Sequence, residues 1–259
     1  MRAVVLAGGK GRRLEPYTIS FPKPLVPVGD MPILEVVIRQ LQRCNFEHVT
    51  MATGHLAELL VAYFGDGAKW DVQIDYSRED APLGTVAPLK LIGDLPESFL
   101  VMNGDVLTTL RYDHLFEYHR QSGAELTVAC HRCSTQVDLG VIEFDSELEV
   151  TGYREKPRLS YDVSMGVYVF NRSVLDLVQG DQYMDFPTLV DTMIRRKRPV
   201  KVYLSDDRWL DIGRPADYAE ANRIFQQRRN EFLPQELNGA FEPNVRRAAA
   251  SRLLFAERG

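Results

Sequence analysis

The first residues able to do chemistry stand directly behind the first apolar run, in AVVLAGGKGRRLEPYTISFPKPLVPVG from Ala3 to Gly29. Gly8, Gly9 and Gly11 can turn bare backbone N–H groups toward an anion. Arg13 can fork two donors onto phosphate oxygens, and Lys23, held between Pro22 and Pro24, adds a point charge. The competing reading is a plain glycine turn with solvated basic residues, because the loop has neither the P-loop ending nor the dinucleotide GxGxxG spacing. Two acidic positions suit a hard divalent ion. Asp105 follows the apolar run Phe99–Met102 and an Asn-Gly pair, which places a carboxylate at the carboxyl end of a strand. Asp211 stands between Trp209-Leu210 and Gly213. With phosphate oxygens these two carboxylates would suit Mg²⁺, which keeps oxygen ligands and several waters. The bland alternatives are a turn aspartate and a helix N-cap, although the helical stretch ADYAEANRIFQQRR puts its cap nearer Pro215 or Asp217.

Such groups need a scaffold that brings strand ends together. Apolar, β-rich runs occur at 3–7, 48–53, 72–77, 98–104, 125–131, 140–145, 163–170 and 200–205. Between the early ones lie amphipathic stretches, MPILEVVIRQLQRC behind Pro32 and HLAELLVAYFGDG ending at Gly65. Alternating strands and helices predict right-handed βαβ units and a mainly parallel sheet. The uniformly apolar first run predicts a strand covered on both faces. No long helix separates the runs at 125–131, 140–145 and 163–170, so an antiparallel subregion is expected there. The chain has 259 residues, 45% hydrophobic and 26% charged, the composition of one large globular domain over 1–230. Residues 231–259 form an appendage, an oligomer contact or a partly disordered tail.

Composition also excludes partners. No run approaches the ~20 apolar residues of a membrane span, and the N-terminal run is too short for a signal peptide. A net charge of −5 argues against nucleic acid. Cys44, Cys130 and Cys133 form no metal set with the histidines, since the lone CxxC at 130–133 has no second pair. Reduced thiols of a cytoplasmic enzyme are the expectation.

The string LAGGKGRRLEPYT followed by FPKPLVPVGDMPILE resembles the signature of the sugar-1-phosphate nucleotidylyltransferases, or NDP-sugar pyrophosphorylases, LAGGxGTRLxPLT…PKPxxPV. The chain departs from it at Arg12, where threonine is usual, and at Tyr17. Four further segments resemble that family in the same order over about the first 225 residues. They are APLGT (81–85), MNGDV (102–106), the pair REKP (154–157) and VSMGVYVF (163–170), and WLDIGRPADY (209–218). Ser164 stands where asparagine is usual. The fold so implied is an α/β, Rossmann-like central sheet, mixed but mainly parallel, flanked by helices, with a small antiparallel sugar-binding subregion.

The resemblance also implies a reaction and a set of roles. An NTP and a sugar 1-phosphate would give an NDP-sugar and pyrophosphate, by in-line attack of a sugar phosphate oxygen on the α-phosphorus. Two unit charges 4 Å apart repel by roughly 4 kcal/mol at an effective dielectric of 20, so cations must offset the meeting of two polyanions. The attacking oxygen is already anionic, which leaves positioning and charge stabilisation as the catalytic work. Arg13 would hold the leaving β- and γ-phosphates, Lys23 would sit near the reacting centre, and Lys156 would hold the sugar phosphate. Leu6, Ala7, Gly8, Gly9, Gly11, Pro82, Gly84, Thr85 and Asn103 would line the nucleotide site, with Asp105 and Asp211 on Mg²⁺. Glu155, Gly140, Ser164 and Gly166 would face the sugar, while Asp138 stays an exposed loop charge.

Base choice turns on Glu79, five residues before Gly84. A carboxylate only accepts, and guanine offers N1–H and a 2-amino group side by side, whereas uracil and thymine set two carbonyl oxygens against it. GTP is therefore favoured, with a solvated surface glutamate as the alternative. The strings PKPLVPVGDMPILE and EDAPLGT also look most like the mannose-, heptose- and glucosamine-1-phosphate guanylyltransferase branch. Tyr183 and Phe186, near a segment expected to cover the pocket (184–193), either wall the sugar ring or serve packing. UDP-, dTDP- and CDP-sugar pyrophosphorylases are the alternatives, with a non-catalytic nucleotide-sugar-binding relative, a transferase onto an alcohol phosphate and a glycosyltransferase behind them. A homo-dimer or higher homo-oligomer is expected without a defined surface.

Overall fold

The computed structural model describes residues 1–79, 81–179 and 182–235. Its strands are β1 (Arg2–Ala7), β2 (Pro27–Val28), β3 (Met31–Pro32), β4 (His48–Thr53), β5 (Gln73–Arg78), β6 (Ser98–Asn103) and β7 (Val106–Thr108). They continue with β8 (Leu126–Gln136), β9 (Val141–Phe144), β10 (Val150–Arg154), β11 (Arg158–Asn171), β12 (Val200–Ser205) and β13 (Trp209–Asp211). The helices are α1 (Ile33–Arg43), α2 (Ala57–Phe64), α3 (Tyr112–Ser122), α4 (Phe186–Arg195), α5 (Pro215–Gln227) and α6 (Arg229–Phe232).

Seven strands form the central sheet in the order β12-β8-β11-β6-β1-β4-β5. β1, β4, β5 and β6 run parallel, as does β12 with β8, while β11 runs antiparallel to both β6 and β8. The mixed, mainly parallel sheet agrees with the sequence expectation. So does the burial of β1 on both faces. Ala3, Val5 and Ala7 pack with Leu34, Val37, Ile38 and Leu41 of α1, whereas Val4 packs on the other side with Phe99, Val101, Tyr168 and Phe170. Each Val, Leu, Ile or Phe among them contributes roughly 1.5–3 kcal/mol when taken from water. A third cluster, with Leu14, Ile33, Leu107, Ile212, Phe225 and Phe232, holds the end of the glycine loop against α5 and α6. Phe232 is buried, and its carbonyl accepts from Gln40 Nε2 at 3.0 Å, so the chain stays in the core that far. Residues 236–259 of the appendage lie outside the described residues.

Four elements, β8, β10, β11 and α5, add to or refine the sequence expectation. β8 runs on to Gln136, and β11 starts already at Arg158, because the two pair as a ribbon beyond the sheet. β10 pairs with β9 as a hairpin, although Gly152 and an irregular apolar pattern hide it in the sequence. The N-cap of α5 is Arg214 with Pro215 at N1, which removes the cap role from Asp211.

One buried group gives the fold an acid limit. His119 of α3 sits between Thr127 Oγ1 at 2.8 Å and Asn171 Oδ1 at 2.9 Å. Burial holds its pKa below the ordinary value, against a raising hydrogen bond from Asn171. The unfolded chain therefore binds this proton first, and stability falls as pH drops below about 6.5. Chemical denaturation between pH 7.5 and 5 should show that loss, and His119→Asn should flatten it while lowering stability at pH 7.5.

Candidate active site

A cleft of about 1010 Å³ opens at the carboxyl ends of β1, β4, β5 and β6, where open α/β sheets bind ligands. Thirteen of the expected residues line it: Leu6, Ala7, Gly8, Gly9, Gly11, Arg13, Lys23, Glu79, Pro82, Gly84, Thr85, Asn103 and Asp105. They come from four strand ends and the loops behind them.

The glycine loop leaves β1 and turns at Gly11, whose φ of +63° suits glycine. A Cβ at Gly11 would also stand 3.0 Å from Thr18 Cγ2 and 3.1 Å from Lys23 Cβ. The Gly11 carbonyl accepts from Leu14 N–H and from Thr18 Oγ1, both at 2.9 Å. That turn aims Arg13 along the cleft, near Gly213. The loop carrying Lys23 folds back until the buried ammonium donates to Asp105 Oδ2. Asp105 itself occupies the two-residue turn between β6 and β7. β13 pairs antiparallel with β7, placing Asp211 opposite Val106, the residue that follows Asp105. Asp211 is exposed and does not line the cleft, but its Oδ2 and an Arg13 Nη1 both lie within 3.6 Å of where a Cβ on Gly213 would stand.

Among the described residues no group of three or more His, Cys, Asp or Glu could hold a metal ion alone. Carboxylates at Asp105 and Asp211 still suit Mg²⁺ chemically, since that ion takes few protein ligands and completes its shell with phosphate oxygens and water. In the ligand-free arrangement Lys23 neutralises one of them.

The far wall belongs to Glu79 and the 81–85 loop. Glu79 Oε2 accepts from Leu83 N–H at 3.1 Å, fastening that loop. Oε1 lies over the glycines, since a Cβ on Gly8 would come within 2.8 Å of it. The loop is also tied to the start of α4. Leu83 O accepts from Met184 N–H at 2.9 Å, and Thr85 Oγ1 accepts from Phe186 N–H at 2.9 Å. Gly84 has φ +93°, and a Cβ there would meet Met184 O at 2.5 Å, so this position admits little else.

The sugar-side residues are not gathered in the cleft. Gly166 is its nearest member, because a Cβ there would stand 2.6 Å from Asn103 Nδ2. Ser164 Oγ donates to Tyr168 Oη at 3.1 Å, on the same strand. Gly140, Glu155 and Lys156 lie exposed at the root of the β9–β10 hairpin, where Glu155 accepts from Tyr153 Oη at 2.8 Å. Phe186 stacks on Tyr168 with centroids 3.9 Å apart, a packing role, while Tyr183 is exposed and lines the cleft.

Sequence reasoning missed Lys10, Arg12, Gly54, His55 and Arg78 as cleft residues. Lys10 and Arg12 were legible as neighbours of the glycines. Gly54, His55 and Arg78 follow from the rule that strand ends meet, applied to β4 and β5. Cations outnumber carboxylates around this cleft, although the chain carries −5 overall.

A glycine-lined, cationic cleft at the carboxyl ends of parallel strands is an arrangement suited to anions in an open α/β sheet. The chain belongs to the nucleotidyl transferase family, whose description matches residues 2–228. It is 32% identical over 247 residues to a UTP–glucose-1-phosphate uridylyltransferase of Synechocystis, covering 86% of this chain and 63% of the relative. It is 31% identical over 226 residues to a mannose-1-phosphate guanylyltransferase of Mycobacterium tuberculosis, covering 85% and 63%. The chain thus spans somewhat under two thirds of the length of these relatives. HddC from Yersinia pseudotuberculosis, solved also with GMP-PN, shares the fold at a TM-score of 0.69 and 23% identity, covering 86% of this chain and 99% of that one. Among the described residues no helix is long and apolar enough to cross a membrane.

Proposed function

We propose that the protein transfers a nucleotidyl group from an NTP to a sugar 1-phosphate, releasing pyrophosphate, as a cytoplasmic enzyme of nucleotide-sugar biosynthesis. The observation that carries this is the convergence of Gly8, Gly9, Gly11, Arg13, Lys23 and Asp105 on one cleft. The backbone amides and Arg13 hold the polyphosphate. Lys23 exchanges Asp105 for phosphate oxygens as the nucleotide enters. The sugar phosphate oxygen attacks the α-phosphorus, the bond from it to the α,β-bridging oxygen breaks, and pyrophosphate leaves carrying that electron pair, its negative charge stabilised by Arg13. Asp105 and Asp211 would hold Mg²⁺, which supplies further charge neutralisation when bound. Lys156 and Glu155 take the sugar phosphate and a sugar hydroxyl. A substrate matrix of nucleotides against sugar 1-phosphates, read as released pyrophosphate with and without Mg²⁺, tests the reaction.

We favour GTP as the donor. Similarity to both uridylyl- and guanylyltransferases leaves the base to local chemistry, and Glu79 is the acceptor at hand. Its Oε1 can accept from guanine, whereas it repels the carbonyl oxygens of uracil or thymine. Glu79→Gln keeps an acceptor for Leu83 N–H but removes the charge. It should narrow the kcat/KM ratio of GTP over UTP by about 10- to 200-fold. Wild-type preference for UTP or dTTP would defeat this assignment.

A further inference from the structure

The first N–H groups of a helix have no partner within it, and α4 satisfies its own in different ways. Pro187, at the second position, has no N–H, and Thr188 N–H donates to the capping Asp185 carboxylate at 3.0 Å. Leu189 N–H makes a helical bond to Asp185 O at 3.1 Å. Phe186 N–H instead leaves the helix and donates to Thr85 Oγ1 at 2.9 Å, 101 positions away in the chain. The backbone just ahead is stitched to the same loop. Met184 N–H donates to Leu83 O at 2.9 Å, and Met184 O accepts from Val86 N–H at 3.0 Å. Thr85 adds a side-chain tie to these backbone bonds.

Phe186 carries the tie onward to the sugar side. Its ring stacks on Tyr168 of β11 with centroids 3.9 Å apart. Tyr168 Oη accepts from Ser164 Oγ at 3.1 Å. Between those two residues lies Gly166, set so close to Asn103 that a Cβ would stand 2.6 Å from Nδ2. Leu83, Met184 and Phe186 all pack on the cluster that contains Tyr168 and Phe170, so loop, helix start and strand share one piece of core.

We propose that Thr85 is a positioning residue for the sugar phosphate, although it stands on the nucleotide wall of the cleft. Its oxygen fixes the start of α4, that start fixes Phe186, and Phe186 braces the stretch of β11 from Ser164 to Tyr168. The proposal rests on the function proposed above, in which this stretch faces the sugar. Without the oxygen the Phe186 amide must turn to water, and the ring shifts with it. The nucleotide wall keeps its own fastenings, Glu79 Oε2 on Leu83 N–H and the backbone bonds to Met184. Displacement therefore begins after Met184 and falls on the acceptor side.

Two variants of Thr85 test this. Thr85→Val keeps the shape and removes the acceptor, whereas Thr85→Ser keeps the oxygen. Kinetics use GTP and the sugar 1-phosphate turned over fastest in the substrate matrix, mannose 1-phosphate being the first tried. Thr85→Val should raise the sugar-phosphate KM about tenfold and the GTP KM less than about threefold. Thr85→Ser should stay within about twofold of wild type in both. Hydrogen–deuterium exchange over 184–189 should quicken about tenfold in Thr85→Val and not in Thr85→Ser. Where Thr85→Val fails to fold, Phe186→Leu takes its place, since it removes the stack but keeps the N–H bond, and should raise the sugar-phosphate KM alike. An unchanged sugar-phosphate KM, a GTP KM that rises as far, or a Thr85→Ser no better than Thr85→Val overturns the proposal. Unchanged exchange over 184–189 in Thr85→Val does the same. A wild type that releases no pyrophosphate from any pair in the matrix defeats the proposed function and the acceptor role with it, while the exchange result still decides whether Thr85 holds α4.

Discussion

Arg13→Ala should lower kcat about a thousandfold while leaving the melting temperature within a degree or two of wild type. Arg13 is exposed at the cleft wall and makes no ion pair among the described residues, so no such pair is lost with it. In the proposed reaction its positive charge meets the negative charge that moves onto the leaving pyrophosphate, and removing a group that stabilises such charge typically costs 10² to 10⁵ in rate. Arg13→Lys should recover only part of the loss, since an ammonium cannot give two parallel donors to one phosphate. Steady-state rates with saturating substrates and a thermal melt of each variant check both points. A loss confined to KM would place Arg13 in ground-state binding alone.

The second large effect is expected at Asp105. Asp105→Asn keeps the shape of the turn but leaves the Lys23 ammonium, buried to nine tenths, without its counter-charge. Activity should fall 10²- to 10³-fold, and the ligand-free protein should lose about 1–3 kcal/mol, the cost of an unsatisfied buried donor. Nucleotide should restore much of that stability, because phosphate oxygens then take the place of the carboxylate. Melts of wild type and variant with and without GTP separate the two roles. A variant equally destabilised with and without nucleotide would show that Lys23 does not turn to phosphate.

How far the sequence discloses this arrangement depends on how local the cause is. HVTMAT and VKVYLS became β4 and β12 with the expected bounds, because each is a short β-branched or apolar run between polar turns. The glycine loop was legible for the same reason, since its geometry is set by residue type within four positions. α3 escaped notice, as YDHLFEYHRQS spreads its buried Tyr112, Leu115, Phe116 and His119 among polar residues. The position of β11 between β6 and β8 is a non-local choice that no window of sequence contains. The ion pair between Lys23 and Asp105 spans 82 residues and exists only once β1 and β6 are neighbours. The sugar-side positions were named from motifs alone, and their scatter over a hairpin root and a strand reflects pairings that the motifs do not encode.

β11 makes a single backbone span two tasks. It leaves the exposed ribbon at Arg158, bends at Gly166 beside Asn103, and ends paired to β6 at Asn171. Inserting one residue between 158 and 164 would invert the facing of the ribbon while leaving the stretch after Gly166 in register. The exposed ribbon and the central sheet are thus aligned by counting along one strand, a ruler whose graduations are residues rather than contacts.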